Sequence, residues 1–176
     1  ELAPGCGVVG GDLARAPVLT AAVTAFGDLE GRDPVLRSGA RPGDALAYAG
    51  ELGLAGTGLS LLFAEAAEPE GTAHGRTLAA LRAGHTAAIR AQLTPRPPVG
   101  AGIAAALAGA TAMLDVSDGL SLDAARIARA SGVTVDLDPV LLQRGFGTQS
   151  GQELPLDAML FGGEDHGLLA AFPPGA

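Results

Sequence analysis

Met113-Leu114-Asp115-Val116-Ser117-Asp118-Gly119-Leu120 is the stretch on which the reading of this chain turns. A short apolar run, Thr111 to Leu114, reaches two carboxylates and a hydroxyl within four residues; a glycine follows and a helical pattern begins. Leu120, Ala124, Ile127 and Ala128 fall at i, i+4, i+7 and i+8, one apolar face of a helix. Asp123 lies in its first turn, Arg126 and Arg129 lie toward its end, and Ser131-Gly132 stops it. Asp115, Ser117 and Asp118 therefore sit between a strand's carboxyl end and a helix's amino end. In open α/β sheets that is where ligands bind, and a helix start supplies N–H groups suited to phosphate. The pattern reads as a metal-and-phosphate corner. Asp118 or Ser117 could equally be an N-cap that satisfies the helix's first N–H groups. Asp115 is harder to dismiss, because a carboxylate ending a buried strand needs a partner or a cation.

Working outward, β-branched and apolar runs predict strands at Val18–Phe26, Ala45–Ala49, Val133–Leu137 and Leu168–Phe172. Helical spacing predicts helices over Leu54–Ala67, Thr77–Gln92 and Ala101–Ala108, the second ended by Pro95, Pro97 and Pro98. Val35–Asp44 is a compact loop, and Gln143–Gln152 reads as a loop rich in Gly, Ser and Gln. The turn-rich connection Gly27–Pro34 is the expected domain boundary, dividing the chain into 1–33 and 34–176.

The 176 residues are 48% hydrophobic, enough for a core, and no apolar run is long and uninterrupted enough to span a membrane. A net charge of -8 argues against nucleic acid, whose phosphates need a basic surface. All 11 basic residues are arginine. Without lysine there is no Walker A lysine, Schiff-base lysine or kinase strand lysine here, so phosphate must be held by metal, arginine or backbone N–H. One cysteine, Cys6, excludes an internal disulfide and a cysteine-rich zinc site. With no basic-then-apolar leader in view, a cytoplasmic setting is expected. The start at Glu1 leads us to expect that the front of the protein is missing.

Three acidic turns share one design: Gly10-Gly11-Asp12, Asp115-Val116-Ser117-Asp118-Gly119 and Gly162-Gly163-Glu164-Asp165. In each, an apolar run delivers carboxylates to a glycine-bearing turn, where backbone can approach phosphate closely. Mg²⁺ uses one or two carboxylates per ion, with waters and substrate phosphates completing its octahedron. Ordinary surface turns use the same residues, so each turn alone has a bland reading. Arg37 and Arg15 are the better phosphate candidates, since guanidinium contacts phosphate in a bidentate way; Arg41 reads equally as a solvent-facing loop charge. His74 and His85 read as solvated, His166 adjoins the third turn, and Cys6 reads as a structural thiol.

These turns, with Leu36-Arg37-Ser38-Gly39-Ala40-Arg41-Pro42-Gly43-Asp44 and Pro95-Arg96-Pro97, stand in the order found in the thiamine-monophosphate kinases. The chain resembles that family of the aminoimidazole-ribonucleotide-synthetase-like superfamily over nearly its whole length. The resemblance implies an α/β fold of α+β type in two domains. Residues 1–33 would end an N-terminal ATP- and metal-binding domain that pairs with a dimer mate. Residues 34–176 would form most of a C-terminal domain, a mixed sheet flanked by helices. It implies transfer of the ATP γ-phosphoryl group to thiamine monophosphate with several Mg²⁺ ions and no covalent nucleophile. By position, Gly11, Asp12, Arg37 and Ser117 would bind ATP, and Asp12, Asp115 and Asp118 would hold metal. Glu164, with Asp165, would face the thiamine phosphate.

The chain departs from the family at Leu13, where threonine is usual, and at His166-Gly167, where tyrosine and glutamate are usual. The family's upstream Asp-Asp cluster and its C-terminal end are not in this sequence. Two rival readings stand: another ATP-using enzyme of the superfamily, such as a selenophosphate or purine-pathway synthetase, and a catalytically silent nucleotide-binding or dimerisation remnant.

Overall fold

The computed structural model describes residues 5–66 and 75–176. His74 lies outside the described residues. Three strands form one sheet in the order β1 (Ala45–Ala49), β5 (Gly167–Phe172), β2 (Ala112–Val116), antiparallel at both pairings. The first and last strands of the described fold are thus neighbours, and the strand that delivers the focal turn lies on the far side of β5. The α+β class expected from the sequence holds.

Strand alternation divides the sheet into two faces. In register, Leu46 and Ala112 lie across from Ala171, and Tyr48 and Leu114 across from Leu169. These residues join Val116, Leu120, Ala124, Ile127 and Met159 in the main core. That face is covered by α5 (Leu120–Ser131) and α7 (Leu156–Phe161). Each fully buried Leu or Ile there contributes about 1.5–3 kcal/mol. The other face, with Ala170 buried, receives α4 (Val99–Leu107). A second cluster of Leu54, Ala55, Ala88, Ala91 and Leu154 joins α1 (Leu54–Leu61) to α3 (Thr86–Leu93). The last turn of α1 widens into a π-helical turn, Leu62–Ala66.

Four expectations need correction. Val18–Phe26 forms no strand: the whole segment 5–34 is exposed and lacks regular structure, apart from a turn at Glu30-Gly31. β propensity expresses a fit to a half-buried pleated surface, and among the described residues no strand pairs with this segment to offer one. Val133–Leu137 keeps its alternation, with Val133, Val135 and Leu137 packed on the core, yet it makes no ladder. The single helix expected over Thr77–Gln92 is two, α2 (Gly75–Gly84) and α3, separated at His85, whose φ of −130° and ψ of 47° leave the helical region. His85 is exposed, as expected.

The last correction concerns Gln143–Gln152. A helix α6 (Pro139–Phe146) starts where Asp138 accepts N–H bonds from Val140 and Leu141, with Pro139 in the first turn. A hairpin follows, β3 (Thr148–Gln149) against β4 (Gln152–Glu153). Its connection is Ser150-Gly151, both with positive φ, the geometry a two-residue turn requires.

Candidate functional site

β2 ends at Val116, and the chain bends through Ser117 and Asp118 into Gly119, at φ 104°, before α5 begins. Neither Ser117 nor Asp118 is the N-cap; that place belongs to Gly119, which carries no side-chain cap. The cap reading of the sequence is therefore corrected: the satisfaction runs the other way. Asp123, fully buried in the first turn of α5, accepts the N–H groups of Ser117 and Asp118 on one carboxylate oxygen, each at 3.0 Å. Its other oxygen pairs with Arg126, whose second nitrogen lies 2.5 Å from Asp118. Asp118 and then Asp123 hold the Arg126 guanidinium firmly protonated. The side chains of Ser117 and Asp118 are thereby spared from capping, and Asp118 is half exposed.

Asp115 is also exposed, on the sheet face opposite the main core and registered against Leu168. It is not the buried carboxylate that the sequence led us to expect, and desolvation creates no demand for a partner.

The third turn lies directly on the second. The N–H of Glu164 donates to the carbonyl of Ser117 at 2.8 Å. Gly163 permits this approach, since a Cβ there would stand 2.7 Å from the Ser117 carbonyl oxygen. Glu164 and His166 both have left-handed backbones, φ 71° and 52°, an uncommon state for non-glycine residues. Between them Asp165 is turned inward at 5% exposure. Its two carboxylate oxygens accept the N–H groups of Gly53 at 2.5 Å and Ala55 at 2.8 Å, at the start of α1. Burial pushes its pKa up to about 6 although those two bonds pull the other way. The Glu164 carboxylate is half exposed, with His166 Nε2 at 3.3 Å.

The Leu36–Asp44 loop is fixed beside β2. Met113 N–H donates to the Leu36 carbonyl at 3.0 Å. The Ser131 hydroxyl, at the end of α5, accepts from Gly39 and Ala40 N–H and donates to the Arg37 carbonyl. Asp44 closes the loop by accepting from the Thr111 hydroxyl and from Arg41 N–H, which, in that order, hold its carboxyl below the usual range. Arg37 is exposed and makes no ion pair among the described residues.

Gly11 and Asp12 lie in the exposed segment, where, among the described residues, the Asp12 side chain accepts only its neighbour Leu13 N–H. The structure thus brings together Ser117, Asp118, Glu164 and Asp165, with Arg37 and Asp115 attached through β2, and leaves Asp12 apart. Among the described residues no three His, Cys, Asp or Glu side chains gather as a metal cluster. Asp115 and the half-exposed Asp118, the latter already paired with Arg126, are oxygen donors of the type Mg²⁺ uses, one or two carboxylates per ion with water and phosphate completing its shell. A cavity of about 520 Å³ lies elsewhere, between β1, residues 133–138 and α6; no acidic-turn residue lines it.

Sequence reasoning missed Asp123 with Arg126, whose i, i+3 spacing of opposite charges was legible but read as a dipole effect. It also missed the inward role of Asp165, which depends on a contact with Gly53 across 112 residues.

Comparison with known proteins identifies the family of the chain. Residues 41–176 match the family described as AIR synthase related protein, C-terminal domain. The chain is 45% identical over 173 residues to the thiamine-monophosphate kinase of Mycobacterium tuberculosis (strain ATCC 25618 / H37Rv), covering 96% of this chain and 47% of the relative. Against that of Corynebacterium glutamicum it is 41% identical over 170 residues, covering 93% and 47%. The chain spans about half the length of the curated relatives it matches. Among solved structures it is similar to the thiamine-monophosphate kinase of Stenotrophomonas maltophilia K279a (TM-score 0.58, 28% identity, 80% of this chain and 42% of the other). It is also similar to AaThiL complexed with AMPPCP and TMP (TM-score 0.52, 30% identity, 79% and 42%). With its antiparallel sheet and the match across 41–176, the chain belongs to the AIR synthase related family, of which it carries the C-terminal domain.

Proposed function

We propose that this chain is part of a kinase that transfers the γ-phosphoryl group of ATP directly to thiamine monophosphate, giving thiamine diphosphate. The observation that carries the reading is the 2.8 Å bond from Glu164 N–H to the Ser117 carbonyl, which fuses the proposed donor turn to the proposed acceptor turn. Similarity to thiamine-monophosphate kinases, one of them solved with AMPPCP and TMP, supports both halves of it.

Phosphoryl transfer between two phosphates brings like charges together. Two unit charges 4 Å apart repel by about 4 kcal/mol at an effective dielectric constant of 20, and each phosphate carries more than one. Gly11, Asp12, Arg37 and Ser117 would hold ATP, with Arg37 exposed and Ser117 offering its hydroxyl beside the turn. Asp12, Asp115 and Asp118 would hold Mg²⁺. When bound, Mg²⁺ would neutralise charge on the phosphates. Glu164 would face the thiamine phosphate substrate, with Asp165 beside it in the same turn. Among the described residues the Ser117 hydroxyl has no hydrogen-bonded side chain to serve as its base, and this reading includes no covalent phosphoenzyme.

Residues 1–33 would end an N-terminal domain and 34–176 would form most of the C-terminal one; the intact protein would be a cytoplasmic homodimer through the former. The test is an assay of the intact protein with Mg²⁺, ATP and thiamine monophosphate beside unrelated phosphate acceptors. Thiamine diphosphate with an equal amount of ADP, formed only with the thiamine substrate, is the expected result. ATP turnover indifferent to the acceptor, or none at all, contradicts it.

A further inference from the structure

The turn Gly162–His166 has a backbone that needs an external constraint. Glu164 and His166 are both left-handed, at φ 71° and 52°, and neither is glycine. Side chains resist that region because Cβ crowds the backbone, so such residues persist where surroundings over-determine them, and they cluster at functional sites. Besides the Gly162 N–H bond to the Ala158 carbonyl and the Glu164–His166 contact within the turn, two constraints tie it to β2. Glu164 N–H is tied to the Ser117 carbonyl, and Gly167 starts β5 across from Val116. Neither acts on the residue between the two strained positions. Asp165 does, through both of its oxygens, onto the N–H groups of Gly53 and Ala55.

Capping α1 does not by itself explain this arrangement. Gly53 holds the N-cap position with no side-chain cap of its own, and a short polar residue near it could accept an N–H without burying a charge. Instead the acceptor is a carboxylate at 5% exposure, whose ionised form burial disfavours. The cost of that choice makes sense if the bond fixes the turn rather than the helix. α1 is the rigid partner: Leu54 and Ala55, its first residues, are fully buried against α3 and Leu154.

We propose that Asp165 is a positioning residue for the acceptor. By seating on the Gly53 and Ala55 N–H groups it locks the turn in the left-handed form that presents Glu164 beside Ser117. This rests on the reading of Glu164 as the acceptor contact. Asp165 touches no substrate itself; it acts through Glu164.

The test compares Asp165→Ala and Glu164→Gln in the intact enzyme, by steady-state kinetics and by amide hydrogen exchange over Gly53–Thr57 and 162–167. Asp165→Ala is expected to raise KM for thiamine monophosphate about tenfold while KM for ATP stays within twofold, with faster exchange in both segments. Glu164→Gln is expected to raise KM for thiamine monophosphate without changing exchange over Gly53–Thr57. Should Asp165→Ala fold poorly, Asp165→Asn, which keeps one acceptor, should give the same selective rise at about threefold. If Glu164→Gln raises that KM and the Asp165 variants leave it within twofold, or raise both KM values alike, the positioning role is wrong. If Glu164→Gln leaves it unchanged, the underlying reading of the acceptor turn fails.

Discussion

The backbone N–H of Glu164 donates to the backbone carbonyl of Ser117 at 2.8 Å, so the turn after β2 and the turn before β5 are held at one bond's distance. β2 and β5 are adjacent antiparallel strands, with Val116 registered against Gly167, so the sheet itself brings the two turns to the same end. A group held on one turn and a group held on the other would approach each other in a fixed relation. In the proposed reaction, where the protein would mainly position and neutralise, that relation would be the main contribution of these two turns.

Gly163→Ala tests the closeness directly. A Cβ there would come within 2.7 Å of the Ser117 carbonyl oxygen, a backbone atom that cannot swing aside. The expected loss is about 1–3 kcal/mol of stability, the usual scale for overpacking. Thermal unfolding of the variant checks it; an unchanged midpoint would mean that the two turns have room to part.

Asp123→Ala should be among the most damaging changes at the site. It leaves the Ser117 and Asp118 N–H groups without their acceptor and Arg126 without its buried partner. About 2–4 kcal/mol is expected, below the full figure for a broken buried pair because Arg126 is partly exposed. Arg126→Ala should cost less, since Asp123 keeps both backbone donors. Chemical denaturation of the two variants ranks them.

Asp123 and Asp165 also mark how far the sequence could be read. Ala45–Ala49, Leu168–Phe172 and the α5 helix with its Gly132 stop follow from patterns within a few residues, and the structure has them. The roles of Asp123 and Asp165 depend on which N–H groups a folded chain brings to them, from 5 and 6 residues away in one case and from 110 and 112 in the other. Val133–Leu137 shows the same limit in reverse. Its alternation is genuine and its apolar residues are packed, but a ladder needs an adjacent strand, which periodicity does not supply.

Asp165 should also leave a mark on the pH dependence of stability. Its pKa rises from an ordinary 3.8 to about 6 on folding, so between those values the native state binds the extra proton. Stability from this group is therefore present at pH 4 and lost as pH rises through 6. Relative to Asp165→Asn, the wild type should lose about 2–3 kcal/mol between pH 4 and 7. Denaturation of both at several pH values measures the difference, and parallel curves would deny the shift.

Asp115→Asn in the intact enzyme should reduce turnover by about 10² while leaving the unfolding midpoint nearly unchanged. The second half follows from exposure: Asp115 is solvated and its carboxylate supports no packing. Activity retained at ordinary Mg²⁺ would remove it from the proposed metal set.

The most direct test of the proposed donor and acceptor turns is the stereochemistry of transfer. ATP made chiral at the γ-phosphorus with oxygen isotopes would be turned over by the intact enzyme, and the configuration read at the terminal phosphate of thiamine diphosphate. A single in-line transfer between groups held on the Ser117 and Glu164 turns gives inversion, the expected result. Retention would mean two transfers through an enzyme-bound phosphoryl group, and would contradict it.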